Sequence, residues 1–249
     1  MRRCLQLDVG NSSTKWRLLE GEQVTARGRY CSGDVVSRTA LLQCSDELDD
    51  IWISSVGGPE VEAELSALLQ QRWGFRPWFA RSGARCGGLV NSYQNPSSMG
   101  VDRWLAMLGA RRDCATRLCV VDAGSALTID LVSAAGDHEG GYIIPGPDLM
   151  ERALLLDTDR VRFAEEVDYK LSPGTSTAEA VRHGIALAQA GAVVMALQAC
   201  GEECPALYFC GGAGQTLMDL LGRGGVWRPD LVFEGLEIMA GEEGRLTES

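Results

Sequence analysis

Twice in this chain an apolar strand runs into an Asp-x-Gly turn, and a second strand then returns through a tight hairpin to a third. The first copy has the strand CLQLDV (4–9), the polar turn Gly10-Asn11-Ser12-Ser13, a strand from Thr14 to Leu19, a turn at Glu20-Gly21-Glu22 and a strand from Val24 to Tyr30. The second has RLCVVD (117–122), a turn at 123–126, LTIDLVS (127–133), a hairpin turn at Ala135-Gly136-Asp137 and a strand from His138 to Ile144. Within the Asp-x-Gly turn the Asp and the Gly are identical between the copies, and overall identity is low. The shared order of elements, with Asp8 and Asp122 at equivalent strand ends, implies an internal duplication. It predicts two similar α/β domains facing each other across a cleft.

Around this frame the pattern predicts a buried strand at 50–56 and a helix over 60–72, with Val61, Leu65, Leu68 and Leu69 at helical spacing. Residues 82–99, rich in Gly, Ser and Asn, read as a functional loop. A helix from Val101 to Arg112 follows, with Trp104, Leu105 and Leu108 as its apolar face. After the second hairpin come a helix at 147–156, a polar loop at 157–177, an alanine-rich helix at 178–200 and a buried strand at 206–210 that ends in Gly211-Gly212-Ala213-Gly214. The tail reads as a short strand at 231–233, an apolar patch at 235–240 and a frayed acidic end. The predicted domains are 1–115 and 116–249.

Composition narrows the function classes. A formal net charge of −11 repels phosphate backbones, which argues against nucleic-acid or anionic-membrane partners. Nine cysteines lie scattered with no CxxC pair, a usage that fits a reducing cytosol. The opening MRRCLQLDVG lacks the apolar segment of a signal peptide, and no run of eighteen apolar residues predicts a membrane span. There is no Walker A sequence, GxGxxG fingerprint, HExxH or GxSxG elbow. The two histidines, His138 and His183, have no triad context and read as structural or solvent-facing.

Three glycine-bearing strand ends carry the chemistry. Gly10 lets backbone amides approach a ligand, Asn11, Ser12 and Ser13 add donors for phosphate oxygens, and Lys15, one of two lysines, supplies a point charge for a terminal phosphate. Asp8 suits holding Mg²⁺ through water. The same segment also has the composition of a plain β-turn followed by an exposed lysine. Asp122-Ala123-Gly124-Ser125 could embrace a polyphosphate from the other side with Asp122 holding a cation, or Asp122 could simply initiate an Asx turn. Gly211-Gly212 suits close approach of a nucleotide's ribose and base, or is a loop before a helix.

In order along nearly the whole chain, these motifs resemble those of the type III pantothenate kinases. Asp8 to Lys15 is similar to their first phosphate loop, Gly100-Val101-Asp102-Arg103 to their Gly-x-Asp-Arg signature, and Asp122 to Ala126 to their second phosphate loop. Gly140-Gly141 through Pro145-Gly146, and Thr177 to Ala180, resemble two further blocks. The resemblance implies two ribonuclease H-like (actin-like) domains with an ATP cleft between them, and a cytoplasmic homodimer. It implies a phosphotransferase acting on pantothenate with ATP, Mg²⁺ and a monovalent cation, K⁺ or NH₄⁺. It makes Asp102 the general base, has Arg103 anchor substrate beside Gly100 and Val101, sets Tyr93 and Thr177 in the pantothenate pocket, and gives the monovalent cation to Asp122. Ser125 stands where the family usually has threonine, and Ser12 is a second conservative departure. From the residues alone, Asp102 reads first as a helix-capping side chain, and Trp104 reads as core. Two other functions fit the same motifs: a non-catalytic relative serving as an accessory factor for gene expression, and a kinase of another small alcohol.

Overall fold

The computed structural model describes residues 1–11, 13–157, 162–163, 165–201 and 204–245. In the first of two compact units, β1 (Arg3–Val9), β2 (Thr14–Glu20) and β3 (Gln23–Tyr30) form an antiparallel meander. β4 (Asp50–Ser55) pairs in parallel with β1, and β5 (Trp78–Phe79) in parallel with β4. α1 (Val35–Leu42) follows β3, and α2 (Pro59–Trp73) connects β4 to β5. Because side chains alternate along a strand, Leu5, Leu7, Val9, Trp16, Ile51 and Ile53 share one sheet face, and they form a core with Leu41, Leu65 and Leu69. Gly28 on β3 gives the Trp16 ring room, since a Cβ there would lie 2.6 Å from the indole. A two-stranded hairpin of β6 (Arg85–Cys86) and β7 (Leu89–Val90), with a 3-10 turn at Pro96–Ser98, leads into α3 (Val101–Arg112).

The second unit repeats the plan. β8 (Leu118–Ala123), β9 (Ala126–Val132) and β10 (His138–Pro145) form the meander, β11 (Ala206–Cys210) pairs in parallel with β8, and β12 (Val226–Trp227) in parallel with β11. The two sheets run β3-β2-β1-β4-β5 and β10-β9-β8-β11-β12, the same order strand for strand. α4 (Pro147–Asp157), α5 (Thr177–Ala199) and α6 (Gly214–Leu221) complete the unit. Ala190, Val193 and Ala196 of α5 close over Cys119, Val121, Ile129 and Phe209 of the sheet. Among the described helices, α5 alone has the length and mean hydropathy, 1.4, of a membrane span. Its packing against the sheet accounts for that hydropathy on its inner side.

The boundaries differ from the 1–115 and 116–249 division that the sequence predicts. The chain leaves the first unit at Gly109 and returns to it at Leu231, so the second unit is Ala110–Asp230. The returning segment is a single helix, α7 (Leu231–Glu242), where a strand at 231–233 and a separate apolar patch are expected. Leu231, Val232, Phe233, Leu236, Met239 and Ala240 are all buried, and a helix enclosed on most sides shows no 3.6-residue period to read. Gly235 lets α7 press against α3, because a Cβ at that position would fall on the Leu105 carbonyl. Glu237 and Phe233 tie α7 to the sheet. The buried Arg17 guanidinium donates to Gln6 Oε1 at 2.7 Å and to Glu237 Oε1 at 2.5 Å, and lies 4.7 Å from the centre of the Phe233 ring. This pairing of a buried guanidinium with a half-buried carboxylate joins the buried apolar face of α7 in holding the returning helix to the first unit.

Candidate active site

At the end of the first sheet where β1 and β4 finish, Asp8 is the register partner of both Lys15 on β2 and Ser54 on β4. The Ser54 hydroxyl donates to Asp8 Oδ1 at 3.2 Å and fixes the rotation of the carboxylate. The turn between β1 and β2 closes when the Gly10 N–H donates to the Ser13 carbonyl at 3.2 Å, leaving Gly10 and Asn11 exposed. Ser12 lies outside the described residues. Asp8, Gly10, Asn11 and Lys15 therefore stand together at one end of the sheet. Sequence reading misses Ser54, because only strand register brings it to Asp8.

A second cluster of the same unit gathers at the start of α3. Asp102, in the first helical turn, accepts from the Arg103 N–H at 2.8 Å through Oδ1, and the Trp104 N–H donates to the Gly100 carbonyl at 3.2 Å. Gly100 is small of necessity: a Cβ there would sit 2.7 Å from Asp102 Oδ1. Val101 and Trp104 are buried, and Trp104 is a core side chain as its sequence context suggests. Arg103, only 5% exposed, donates to the Tyr93 hydroxyl at 2.9 Å with its guanidinium 5.9 Å from the ring centre. Tyr93 is positioned in turn by Asn91, whose Oδ1 accepts from the Tyr93 N–H at 3.0 Å while its amide donates to Gly83 and Pro96 carbonyls at 3.1 and 3.3 Å. The Asn-rich loop thus builds a framework, and Asn91 is a member that sequence reading misses. The local bond and chemistry are compatible at Asp102: one oxygen takes the adjacent backbone hydrogen bond, and the carboxylate stays part-exposed.

In the second unit the loop after β8 is walled by two glycines. Gly211, at φ +80°, lies so close that a Cβ would fall on Asp122 Oδ1 and within 2.5 Å of the Ala123 carbonyl. The Ala213 N–H donates to that carbonyl at 2.9 Å. From the other side, a Cβ on Gly146 would sit 2.5 Å from the Gly124 carbonyl and 2.6 Å from that of Ser125, and the Gly146 N–H donates to Ser125 at 3.0 Å. Gly212 faces open space. Asp122, Gly124, Ser125, Gly211 and Gly212 are therefore brought together. Gly146 belongs with them, although nothing in its own sequence context singles it out from the rest of its block.

Thr177 is the exposed first residue of α5. The Ser176 hydroxyl caps that helix by accepting from the Glu179 N–H at 3.2 Å. Glu179 reaches back to accept from the Thr175 N–H at 2.7 Å and its hydroxyl at 2.9 Å. These bonds from Thr175 hold the Glu179 carboxyl below the usual carboxylate range.

Among the described residues no group of three His, Cys, Asp or Glu side chains could hold a metal. Asp8 and Asp122 are single carboxylates, a donor set that suits a cation whose other ligands are phosphate oxygens, carbonyls and water. His138 pairs with the buried Asp130 at 3.0 Å, and His183 Nδ1 lies 2.7 Å from the Ser172 carbonyl, so both histidines have structural partners. Burial pushes the Cys119 thiol up to about 12, which removes it as a nucleophile.

Comparison with known proteins agrees with this geometry. The family model for type III pantothenate kinase matches residues 4–199. A type III pantothenate kinase of Aromatoleum aromaticum is 35% identical over 243 residues, covering 96% of this chain and 98% of its own. That of Pseudomonas aeruginosa PAO1 is also 35% identical, covering 94% and 97%. Among solved structures, a Campylobacter jejuni protein described as a Baf-family transcriptional activator superposes with a TM-score of 0.64 at 21% identity, covering 97% of this chain and all of its own. MreB5 of Spiroplasma citri bound to AMPPNP superposes at 0.51 and 11%, covering 98% of each chain. At such identities these two likenesses speak for the fold alone, which is that of two ribonuclease H-like, actin-like units. By its family model and by its full-length relatives, the chain belongs to the type III pantothenate kinase family.

Proposed function

We propose that the chain transfers the γ-phosphoryl group of ATP to the terminal hydroxyl of pantothenate, the first step of coenzyme A biosynthesis. The observation that carries this reading is the Gly100–Arg103 cluster. There a part-exposed carboxylate is oriented at a helix start, beside a buried guanidinium already bonded to a tyrosine hydroxyl. Asp102 orients the substrate hydroxyl and accepts its proton as the new P–O bond forms, while Arg103, Tyr93, Gly100, Val101 and Thr177 bind the acceptor. Asp8, Gly10, Asn11, Ser12 and Lys15 bind ATP from the first loop, and Gly124, Ser125, Gly211 and Gly212 from the second. Asp8 would hold Mg²⁺ through water, and the ion would neutralise charge on the phosphates. Asp122, with the Ala123 carbonyl oxygen that crowds Gly211, suits a monovalent cation such as K⁺ or NH₄⁺.

A second copy of the chain is the partner best supported. The outward stripe of α5 carries Gly184, Leu187, Ala188, Gly191 and Met195, with Leu187 60% and Met195 64% exposed. A Cβ on Gly184 or Gly191 would meet nothing within 4 Å, so the backbone is open to close approach. Leu149, Leu154 and Leu156 of α4 are exposed in the same unit. The net charge of −11 and the free cysteines among the described residues support a cytoplasmic protein without nucleic-acid or membrane partners.

The decisive experiment incubates purified protein with ATP, Mg²⁺ and pantothenate, with and without K⁺, and reads phosphopantothenate by mass spectrometry. Product that requires pantothenate, and rises with K⁺, is expected. ATP turnover only with another alcohol would reassign the substrate.

A further inference from the structure

The sheet face that carries Asp8 also carries an unusual row of cations. In antiparallel pairs, residues directly opposite one another share a face, and Lys15 lies opposite both Asp8 on β1 and Arg29 on β3. One step further from the loop, Arg17 lies opposite Arg27. Gly28, between the two arginines, sits under the Trp16 ring on the core side, which confirms that Arg27 and Arg29 face the other way. Arg17 is neutralised by Glu237. Arg29 is exposed at the loop end of the edge strand, and like Lys15 it has no acidic partner within ion-pair distance among the described residues. A like-charged pair directly opposite across a ladder is destabilising, and here it stands in a chain of net charge −11 at the end of the sheet where β1 runs into its glycine turn. A protein with surplus carboxylates that leaves two cations facing each other has kept room for an anion.

We propose that Arg29 joins Lys15 as a binding residue for the terminal phosphates of a nucleoside triphosphate. The guanidinium fork takes phosphate oxygens in paired hydrogen bonds, and the ammonium adds a point charge beside it. Asp8 flanks the pair on the opposite side of Lys15, which is the arrangement a metal-bridged polyphosphate needs: cations for the oxygens, and one carboxylate for the metal's water shell. The role falls on an edge-strand residue that belongs to neither phosphate loop. It rests on the kinase reading for its nucleotide, though not on the identity of the alcohol.

The test is calorimetric binding of Mg²⁺-AMPPNP and of AMP to the full chain, unmodified and with Arg29→Gln. The substitution weakens AMPPNP binding about tenfold and leaves AMP within twofold, because AMP lacks the phosphates that the pair receives. Arg29→Lys restores most of the loss. Relief of the like-charge pair raises the melting temperature of ligand-free Arg29→Gln by about 1–3 °C, which separates a binding defect from a folding one. Unchanged AMPPNP affinity, or equal losses for AMPPNP and AMP, would overturn the assignment while the kinase reading stands. No AMPPNP binding by the unmodified chain would sink both.

Discussion

In the proposed reaction Asp102 carries the heaviest chemical demand of any single side chain, and its backbone hydrogen bond makes that role testable. Asp102→Asn keeps an oxygen that can accept from the Arg103 N–H at 2.8 Å, so the helix start survives while the proton acceptor is lost. The expected result is a fall in kcat of roughly 10²–10⁴-fold, with KM for pantothenate and the melting temperature little changed. A melting temperature that falls along with kcat would mark the residue as a cap alone. Glycines 211 and 212 give a paired experiment. From sequence they are equivalent, two adjacent glycines after a buried strand. In the structure Gly211 has φ +80° and presses on Asp122, whereas Gly212 faces open space. Gly211→Ala should destabilise by more than about 1 kcal/mol, whereas Gly212→Ala should leave stability unchanged and lose only nucleotide affinity, as read by thermal unfolding and AMPPNP titration. Backbone dihedrals set by tertiary packing, like the strand register that brings Ser54 to Asp8, leave no local trace in a sequence.

At the scale of elements, the start of α5 shows how a helix end presents a candidate site residue. Thr177 stands between the cap Ser176 and Glu179, whose carboxylate holds Thr175. Glu179→Gln weakens that hold, and KM for pantothenate should rise a few-fold with kcat nearly unchanged. The sign of the pH dependence follows from the lowered carboxyl. A depressed folded-state pKa contributes stability that is present above the ordinary carboxylate value of about 4.5, and that is lost as pH falls through the folded value. The gap in melting temperature between the unmodified chain and Glu179→Gln should therefore close on acidification below that range. Elements with strong periodicity or turn chemistry were legible. α3 begins at Val101 and ends at Arg112 as its pattern predicts, and the meander strands fall within a residue or two of their expected ends. α1 was not, because Val35 and Val36 are 73% and 78% exposed and no apolar stripe marks it. Its signal was Asp34, whose carboxylate accepts from the Val36 and Ser37 N–H groups at 3.2 and 3.0 Å.

For the whole molecule, the duplication read from two Asp-x-Gly hairpins became two sheets of identical strand order, because a meander followed by parallel crossovers admits few other topologies. Where the units divide was hidden, since α7 returns through packing and an Arg17–Glu237 pair between residues far apart in sequence. Assembly is the remaining property that individual residues settle. A helix apolar on its inner side for the core has no need of Leu187 and Met195 on its outer side. Small residues between them leave room for two backbones to come close, and the proposed homodimer would cover this apolar area. Sedimentation should give the unmodified chain a mass twice its 26.8 kDa. Leu187→Glu with Met195→Glu should give the single chain mass with the far-ultraviolet spectrum retained, since neither side chain contributes to the core. If the acceptor pocket depends on the pairing, the same variant loses pantothenate affinity while AMPPNP still binds. A double variant that keeps twice the chain mass would move the interface elsewhere. An unmodified chain that sediments as a monomer would remove the homodimer altogether.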